Sequence, residues 1–253
     1  MAELRGRVAI VTGAGQGIGR GTALELAKAG ANLALADING QTIEKVKREV
    51  EEIGAEALTV QMDVSKWPDA QRLAKSTMDR FGRIDILVNN AGIHPQNEQN
   101  LRFGTLEISE AEWDLVLNVN LKGEFNCSKA VIPHMVSRRY GRIVNVSSVT
   151  GLTGQVGSAP YCASKAGIMA LTKVMAREFG QHNITVNSIA PGLTMTAMNA
   201  NVPPELLEVW IGGTSLARAG QPADMAHAIL SFVQEDLFVT GQTLVVDGGY
   251  TMY

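Results

Sequence analysis

The stretch that decides the fold runs from Arg7 to Gly19 and reads Arg-Val-Ala-Ile-Val-Thr-Gly-Ala-Gly-Gln-Gly-Ile-Gly. Its first half is apolar and rich in β-branched residues, which is typical of a short buried strand. The glycines lead into a helical pattern that ends at Gly30, so they connect a strand to a helix. Such a turn lets the backbone approach a pyrophosphate, and the helix N-terminus offers unpaired N–H groups to it.

An acidic residue after the next strand completes this unit. The run Asn32-Leu-Ala-Leu-Ala36 predicts the strand, and Asp37 stands where a carboxylate can accept hydrogen bonds from the adenosine ribose of a dinucleotide. The glycine spacing, Gly13-x-x-x-Gly17-x-Gly19, differs from the common G-x-G-x-x-G, so the turn alone is weak evidence. In this context, we expect cofactor contacts from Gly13, Gln16, Gly17, Ile18, Gly19, Asp37 and Ile38.

Asp37 also favours NAD over NADP. NADP carries a phosphate in place of one ribose hydroxyl, and two like unit charges about 4 Å apart repel by roughly 4 kcal/mol at an effective dielectric of about 20. If side-chain rotation and water relieve half of this, about 2 kcal/mol remains, which is more than a tenfold preference. The turn offers Gln16 rather than a basic residue, and Arg20 lies too far along the helix to reach the phosphate.

Strand and helix patterns alternate about seven times along the 253 residues. Most strands are continuously apolar, which is typical of a parallel sheet covered by helices on both faces. We therefore predict an α/β fold with a Rossmann-type doubly wound parallel sheet, formed by residues 1–253 as a single domain. Residues that follow parallel strands meet at one edge of the sheet. There we expect further cofactor contacts from Asp63, Val64, Asn90, Ala91, Gly92, Pro191 and Gly192.

The segment from Ser148 to Lys165 brings reactive groups to the same edge. Ser148 follows an apolar strand, and Tyr161 and Lys165 stand four residues apart at the start of a helical pattern. This spacing places the phenol and the ammonium on one helix face. A free tyrosine has a pKa of about 10, and a nearby cation favours its phenolate. Tyr161 could therefore act as general acid and base, while Ser148 holds a substrate oxygen.

The composition argues against several other classes of function. The net charge of −3 gives no reason to expect a nucleic acid or an anionic membrane as partner. No apolar run approaches the roughly 18 residues of a membrane span, and the N-terminus has no signal-peptide pattern. Two cysteines and four scattered histidines form no metal-ligand motif. We expect a cytoplasmic protein with a small-molecule substrate and no metal site.

Two segments beside the predicted site are candidates for substrate binding. Residues 93–108 form a long polar connection, and residues 193–220 lack a strong period. Long connections are usually functional or mobile, so we expect substrate loops here, the second as an apolar lid. Its apolar side chains include Met195, Met198 and Trp210. Arg102 could anchor an anionic group, although a solvated loop charge is the simpler interpretation. Asp63, counted above as a cofactor contact, could equally cap the next helix.

Over nearly its whole length the chain resembles the short-chain dehydrogenase/reductase family. The matching motifs are Thr12-Gly-x-x-x-Gly-x-Gly19, Asp63-Val64, Asn89-Asn-Ala-Gly92, Asn120, Ser148, Tyr161-x-x-x-Lys165 and Pro191-Gly192. Each motif is weak alone, but together they are highly specific. The resemblance implies NAD(P)-linked interconversion of an alcohol and a carbonyl compound. It also implies a homotetramer in which the helices around 110–137 and 160–179 pack between subunits.

The resemblance further assigns roles to individual residues. It implies that Tyr161 is the acid and base, that Ser148 orients the substrate, and that Lys165 binds the nicotinamide ribose and lowers the pKa of Tyr161. Asn120, within a long helix predicted from a capping box at Ser109 to about Val136, would hold a water that links Lys165 to solvent. Cofactor contacts near the carboxamide are implied for Thr194, and we include Thr196.

Three functions remain open from the sequence. The first is an NAD-dependent alcohol dehydrogenase or ketoreductase that acts on a small or medium secondary alcohol. The second is a 3-oxoacyl-carrier-protein reductase, although the segment 93–108 looks longer than in those enzymes. The third is a dinucleotide-binding sensor without catalysis, which the complete set of Asn120, Ser148, Tyr161 and Lys165 argues against.

Overall fold

One parallel sheet of seven strands forms the centre of the protein, whose computed structural model describes residues 3–95, 104–200 and 202–252. Across the sheet the strand order is β3-β2-β1-β4-β5-β6-β7. In chain order the strands are β1 (Val8–Thr12), β2 (Asn32–Asp37), β3 (Ala57–Gln61), β4 (Ile86–Asn89), β5 (Gly141–Val146), β6 (Ile184–Pro191) and β7 (Thr243–Val246). The prediction of a doubly wound parallel sheet is confirmed.

Helices connect the strands and cover both faces of the sheet. They are α1 (Gly17–Lys28), α2 (Gly40–Ile53), α3 (Trp67–Phe81), α4 (Glu110–Leu117), α5 (Gly123–Arg138), α6 (Thr150–Thr153), α7 (Ala159–Phe179), α8 (Pro204–Gly212) and α9 (Pro222–Ser231). Among the described residues, no helix is long and apolar enough to cross a membrane.

Consecutive residues of a strand pack into two separate apolar cores, one on each face of the sheet. Val11 of β1 packs in one core with Leu26 of α1, whereas the preceding Ile10 packs in the other with Leu73 of α3. Side chains alternate between the faces of a strand, so a strand that is apolar at every position must be covered on both sides. The continuous apolar runs in the sequence reflect this double burial.

The direction of winding reverses at β1. This strand pairs with β2 on one side and with β4 on the other, so the following connections leave in opposite directions. Between them the carboxyl ends of β1 and β4 open a crevice, which is where ligands bind in open α/β sheets. The glycine turn and the residues after β4 both lie at this position.

The long helix predicted from Ser109 to about Val136 is interrupted. The capping box is confirmed, since Ser109 Oγ accepts a hydrogen bond from Glu112 N at 3.2 Å and the Glu112 carboxylate accepts one from Ser109 N at 2.9 Å. Between α4 and α5, residues Asn118–Lys122 form a π-helical turn. Such a turn accommodates one extra residue, often at functional sites, and it contains the buried Asn120.

The segment 193–220 is more regular than its pattern indicated. It contains a short 3₁₀ turn, Ala197–Asn199, and then α8. The expectation of an aperiodic stretch was wrong for α8. This helix has apolar residues on more than one side, so its sequence shows no single apolar stripe. Val209, for example, is 68% exposed. The central part of the other predicted substrate loop, residues 96–103 with Arg102, lies outside the described residues.

Candidate active site

Two adjoining cavities occupy the carboxyl edge of the sheet. The larger, of about 350 Å³, extends from the glycine turn to Thr196, and the smaller, of about 220 Å³, extends towards α8. Ser148 and Tyr161 line both cavities. A group bound in one cavity could therefore meet a group bound in the other at these two hydroxyls.

The larger cavity brings together residues that the sequence assigned to a cofactor. Those that line it are Gly13, Gln16, Gly17, Ile18, Asp37, Ile38, Asp63, Val64, Asn90, Ala91, Gly92, Tyr161, Lys165, Pro191, Gly192, Thr194 and Thr196. Gly19 was also predicted but does not line it, because it lies behind the turn, where a Cβ atom would sit 2.1 Å from the Gly13 carbonyl oxygen. The sequence did not indicate Met62, Ile93, Val119 and Ser147, which also line this cavity.

The carboxylate of Asp37 is held in place by two backbone groups. Gly15 N donates to its Oδ2 and Asn39 N donates to its Oδ1, each at 3.0 Å. Gly15 stood at an unspecified position of the predicted motif, yet a Cβ atom there would lie 2.1 Å from Thr42 Oγ1. A glycine at position 15 therefore allows the turn to approach Asp37 closely. Each oxygen of the Asp37 carboxylate still has a lone pair with which it can accept a hydrogen bond from a ligand.

The glycine turn fits the pyrophosphate of a dinucleotide. Gln16, the residue before α1, makes no side-chain cap within the described part of the chain, and the first turn of α1 holds no acidic residue. The N–H groups at this helix end therefore remain available to an anion. Arg20, on the next turn, pairs instead with Glu49 at 2.8 Å.

Asp63 does not cap the following helix. Its Oδ1 accepts hydrogen bonds from Ser65 N at 2.9 Å and from Ser65 Oγ at 2.7 Å, whereas the residue before α3 is Lys66. Asp63 N in turn donates to Asp69 Oδ2, and this bond, together with Arg72, lowers the pKa of Asp69. The side chain of Asp63 thus shapes the loop at the edge of the larger cavity.

A hydrogen-bonded clamp joins the ends of β1 and β4. Asn90 Nδ2 donates to the backbone oxygens of Thr12 at 3.0 Å and Gly13 at 3.1 Å. In return, Thr12 Oγ1 accepts hydrogen bonds from the backbone N–H groups of Asn90 and Ala91. The Asn90 amide, which we expected beside a ligand, therefore holds the backbone that lines the cavity.

The hydroxyl oxygen of Ser148 accepts two hydrogen bonds from Thr150. Its Oγ accepts hydrogen bonds from Thr150 N at 3.2 Å and from Thr150 Oγ1 at 3.0 Å. A serine hydroxyl has two lone pairs and one proton, so these bonds leave the proton to be donated. The proton can point into either cavity, towards a carbonyl or hydroxyl oxygen of a ligand.

Lys165 is buried beneath Tyr161. The lysine is 4% exposed, its Nζ donates to the Val146 backbone oxygen at 2.7 Å, and it lies 5.6 Å from the centre of the Tyr161 ring. Burial lowers the pKa of the Lys165 ammonium, and the Glu124 carboxyl partly opposes this effect. The predicted approach of Tyr161 and Lys165 on one helix face is what the structure shows.

Asn120 is fully buried and braces the site rather than lining it. Its Nδ2 donates to the backbone oxygen of Ile93 at 3.0 Å and to Ser164 Oγ at 3.1 Å, while its Oδ1 accepts from Ile93 N at 2.8 Å. These bonds connect the chain after β4 to α7. The side chain is thus used for bracing, and the relay role implied for Asn120 stays a prediction.

His94 is a site residue that the sequence did not single out. Its ring stacks on that of Tyr161, with centroids 3.8 Å apart and planes 7° from parallel, and its Nε2 lies 2.9 Å from Ser158 Oγ. It also lines the smaller cavity. The sequence signal that could have identified His94 as a site residue was its position two residues after the Asn-Asn-Ala-Gly motif.

The smaller cavity is lined mainly by apolar and neutral polar side chains. Met198 and Trp210, two of the predicted substrate contacts, line it together with Thr153, Gln155 and others, whereas Met195 does not. Its described lining residues include no lysine, arginine, aspartate or glutamate. Over the same described ranges, no group of three or more metal-ligating side chains could hold a metal ion.

The doubly wound sheet, the glycine turn and the Ser148, Tyr161 and Lys165 cluster together define an oxidoreductase that uses a nicotinamide dinucleotide. The family model described as short chain dehydrogenase matches residues 7–206, so the chain belongs to the short-chain dehydrogenase family.

Similar proteins of this family differ in the substrates that their names give. A 3-oxoacyl-[acyl-carrier-protein] reductase of Thermotoga maritima is 38% identical over 98% of both chains. The (2S)-[(R)-hydroxy(phenyl)methyl]succinyl-CoA dehydrogenase subunit BbsD of Thauera aromatica is 39% identical over 99% of this chain and 98% of its own. The crystal structure of levodione reductase is 33% identical, covers 97% of this chain and 98% of its own, and has a TM-score of 0.92.

Replacement of Tyr161 by phenylalanine should abolish turnover and leave cofactor binding nearly unchanged. The phenyl ring can keep the stack with His94, but the hydroxyl that exchanges the proton is lost. General acid–base groups contribute about 10²–10⁴-fold to rate, so we expect a loss of that size in kcat. Tyr140→Phe is the matched control, because Tyr140 packs against Arg7 and Arg142 instead. More than about a tenth of wild-type activity in Tyr161→Phe would contradict the assignment.

Replacement of Lys165 by methionine should weaken both turnover and cofactor binding. The change removes the buried ammonium and, with it, the hydrogen bond that we expect Lys165 to donate to the cofactor ribose. Hydrogen bonds to charged groups contribute about 1.5–3 kcal/mol, so we expect the cofactor Kd to rise about ten- to a hundredfold. Isothermal titration and steady-state kinetics measure the two effects. Lys173→Met, an exposed change on the same helix, is the control. An unaltered Kd would rule out a cofactor contact by Lys165.

Proposed function

We propose that this protein is an NAD(H)-dependent oxidoreductase that interconverts a secondary alcohol and a ketone. The observation that carries the proposal is the position of Ser148 and Tyr161 at the junction of the two cavities. One cavity has the features of a dinucleotide site, and the other is a neutral pocket for a substrate. This proposal puts the Tyr161 hydroxyl between the cofactor and the substrate, with the buried Lys165 below it.

The residues divide the chemistry between them. The Ser148 hydroxyl donates a hydrogen bond to the substrate oxygen, since its lone pairs are occupied by Thr150. In reduction, the Tyr161 phenol gives its proton to the carbonyl oxygen, and in oxidation the phenolate takes the proton of the alcohol. The nicotinamide, when bound, supplies or accepts the hydride. The Lys165 ammonium favours the phenolate, as a nearby cation does.

The preference for NAD is supported by the surroundings of Asp37. Two backbone N–H groups hold its carboxylate, so it can accept hydrogen bonds from ribose hydroxyls without reorganisation. Among the described lining residues of the larger cavity, Lys165 is the one basic side chain, and it lies below Tyr161. The paired Arg20 and the neutral Gln16 offer no counter-charge for a phosphate beside Asp37.

The substrate that this pocket suits is a small or medium neutral molecule. Trp210 and Met198 offer apolar contact area, and Thr153 and Gln155 offer hydrogen bonds without a formal charge. A 3-oxoacyl-carrier-protein reductase is the second candidate, and the names of relatives such as the Thermotoga maritima protein favour it. We favour the small neutral substrate because the described wall of the pocket carries no lysine or arginine.

Assembly as a homotetramer belongs to the same proposal. Apolar side chains stand exposed on the helices that the family resemblance places between subunits, with Leu115 on α4, Phe125 on α5 and Val174 on α7. Exposed apolar patches of this kind are typical of interaction surfaces.

Replacement of Asp37 by alanine should remove the preference for NAD. The wild type should use NAD at least about tenfold better than NADP, as measured by kcat/KM, because a like-charge repulsion of about 2 kcal/mol is worth more than tenfold. In Asp37→Ala the activity with NAD should fall and that with NADP should rise. Asp114→Ala, a change of the same kind on α4, is the control. Equal use of both cofactors by the wild type would contradict the proposal.

A substrate panel distinguishes the two candidate functions. We expect turnover of uncharged secondary alcohols and ketones to exceed turnover of 3-oxoacyl thioesters by at least about tenfold in kcat/KM. Trp210→Ala should reduce kcat/KM for the best alcohol mainly through KM, because the indole lines the substrate cavity. Trp113→Ala, a change on α4, is the control. Faster reduction of a 3-oxoacyl thioester would establish the second candidate instead.

A further inference from the structure

The ring of His94 is held against the phenol that we assign to proton exchange. It stacks on the Tyr161 ring, with the two centroids 3.8 Å apart and the planes 7° from parallel. Both rings also border a small cavity of about 20 Å³, so the stack, rather than close packing, limits the movement of the phenol on that side. The chemistry proposed above gives His94 no part.

The backbone that leads to His94 is fixed by a buried side chain. Asn120 Nδ2 donates to the backbone oxygen of Ile93 at 3.0 Å, and Asn120 Oδ1 accepts from Ile93 N at 2.8 Å. The same Nδ2 group donates to Ser164 Oγ of α7 at 3.1 Å. Because Ile93 directly precedes His94, these bonds set the distance between the His94 backbone and the helix that carries Tyr161.

The far end of the His94 ring is bound to the start of the same helix. Its Nε2 lies 2.9 Å from the Oγ atom of Ser158, which is 2% exposed and directly precedes α7. A serine at this position usually accepts a hydrogen bond from the first turn of the helix. Ser158 makes no such bond, although the described residues include that whole turn. Departures from a local rule are concentrated at functional sites, and here the hydroxyl contacts His94 instead.

We propose that His94 is a positioning residue: its ring, held at Ile93 and at Ser158, keeps the Tyr161 phenol in the orientation from which the hydroxyl reaches the junction of the two cavities. Proton transfer requires that the donor and acceptor atoms come within about 2.6–3.2 Å of each other. The inference rests on the proposed function, because the orientation of the phenol affects turnover through the proton that Tyr161 exchanges.

The size of the effect follows from the freedom that the stack removes. Tyr161 lies in the first turn of α7, where its side chain can adopt more than one rotamer. A stacked aromatic pair shifts such an equilibrium by about two- to tenfold. Without the stack, a smaller fraction of the molecules would hold the hydroxyl within reach of the substrate, so kcat would fall by that factor.

Replacement of His94 by alanine tests this role. In His94→Ala, kcat for the best alcohol of the substrate panel should fall about two- to tenfold. The cofactor Kd should stay near that of the wild type, because His94 does not line the larger cavity. The ratio of kcat in water to kcat in heavy water should rise, because a misplaced phenol makes proton transfer more strongly rate-limiting. A loss of folded protein alone would lower the apparent kcat and leave this isotope effect unchanged.

Two further replacements at the same position separate the aromatic face from bulk. His94→Phe keeps an aromatic face for Tyr161 and should recover most of the kcat lost in His94→Ala. His94→Leu fills similar space without an aromatic face and should remain as slow as His94→Ala. If His94→Ala does not fold, His94→Leu replaces it in every comparison. Equal kcat values in His94→Phe and His94→Leu would overturn the role of the stack.

Replacement of Ser158 by alanine tests the second support of the ring. Ser158→Ala should lower kcat in the wild-type background, because it releases Nε2 of His94. It should have no further effect in His94→Phe, whose ring has no nitrogen to bind Ser158. Equal losses in the two backgrounds would show that Ser158 acts elsewhere and would overturn the proposal.

His227→Ala is the matched control. The His227 side chain lies on α9 and is 66% exposed, so both kcat and the isotope effect should match those of the wild type. An equal rise of the isotope effect in His227→Ala and His94→Ala would overturn the proposal.

The outcomes for this proposal and for the proposed function differ. An inactive Tyr161→Phe beside a His94→Ala with wild-type kcat and isotope effect would overturn only the positioning role. A loss in His94→Ala that lies in KM alone would make His94 a substrate contact and would overturn the positioning role likewise. Retention of activity in Tyr161→Phe would overturn the proposed function, and the positioning role with it.

Discussion

The clamp between Thr12 and Asn90 is the interaction on which the rest of the site depends. Parallel strands bring their carboxyl ends to one edge, but the connections that follow β1 and β4 leave in opposite directions because the winding reverses there. Four hydrogen bonds between Thr12, Gly13, Asn90 and Ala91 bridge the gap. They satisfy backbone groups that the sheet leaves unpaired, which would otherwise be costly to bury. The floor of the larger cavity is thereby held rigid before any ligand binds.

Burial of charge is the second constraint. Lys165 lies in a region of low polarity, where an ammonium acts strongly on a neighbouring phenol but is itself disfavoured. The Val146 carbonyl oxygen takes one of its donors, so the remaining protons can serve other partners. The carboxyl of Glu124, which is itself buried, partly opposes the fall in the pKa of Lys165.

The names of the relatives indicate that the fold alone does not determine which substrate is used. Proteins whose names give a carrier-protein reductase and a succinyl-CoA dehydrogenase are 38% and 39% identical to this chain over nearly their whole length. The same fold can serve different substrates when the residues of the site change. In this chain the smaller cavity, which we propose as the substrate site, is lined by residues of α6 and α8 together with His94 and Tyr250.

The sequence by itself determined the class of fold and most of the residues that line the larger cavity. Continuous apolar strands require cover on both faces, and residues that follow parallel strands must meet at one edge, so Asp37, Ser148, Tyr161 and Lys165 could be placed together without coordinates. The tertiary structure decided what depends on neighbours distant in the chain. Gly19 lies behind the turn because of its contact with Gly13, and Asn120 braces Ile93 and Ser164. The stack of His94 on Tyr161 and the burial of Glu124 likewise arise from packing between separate elements, which no local pattern encodes.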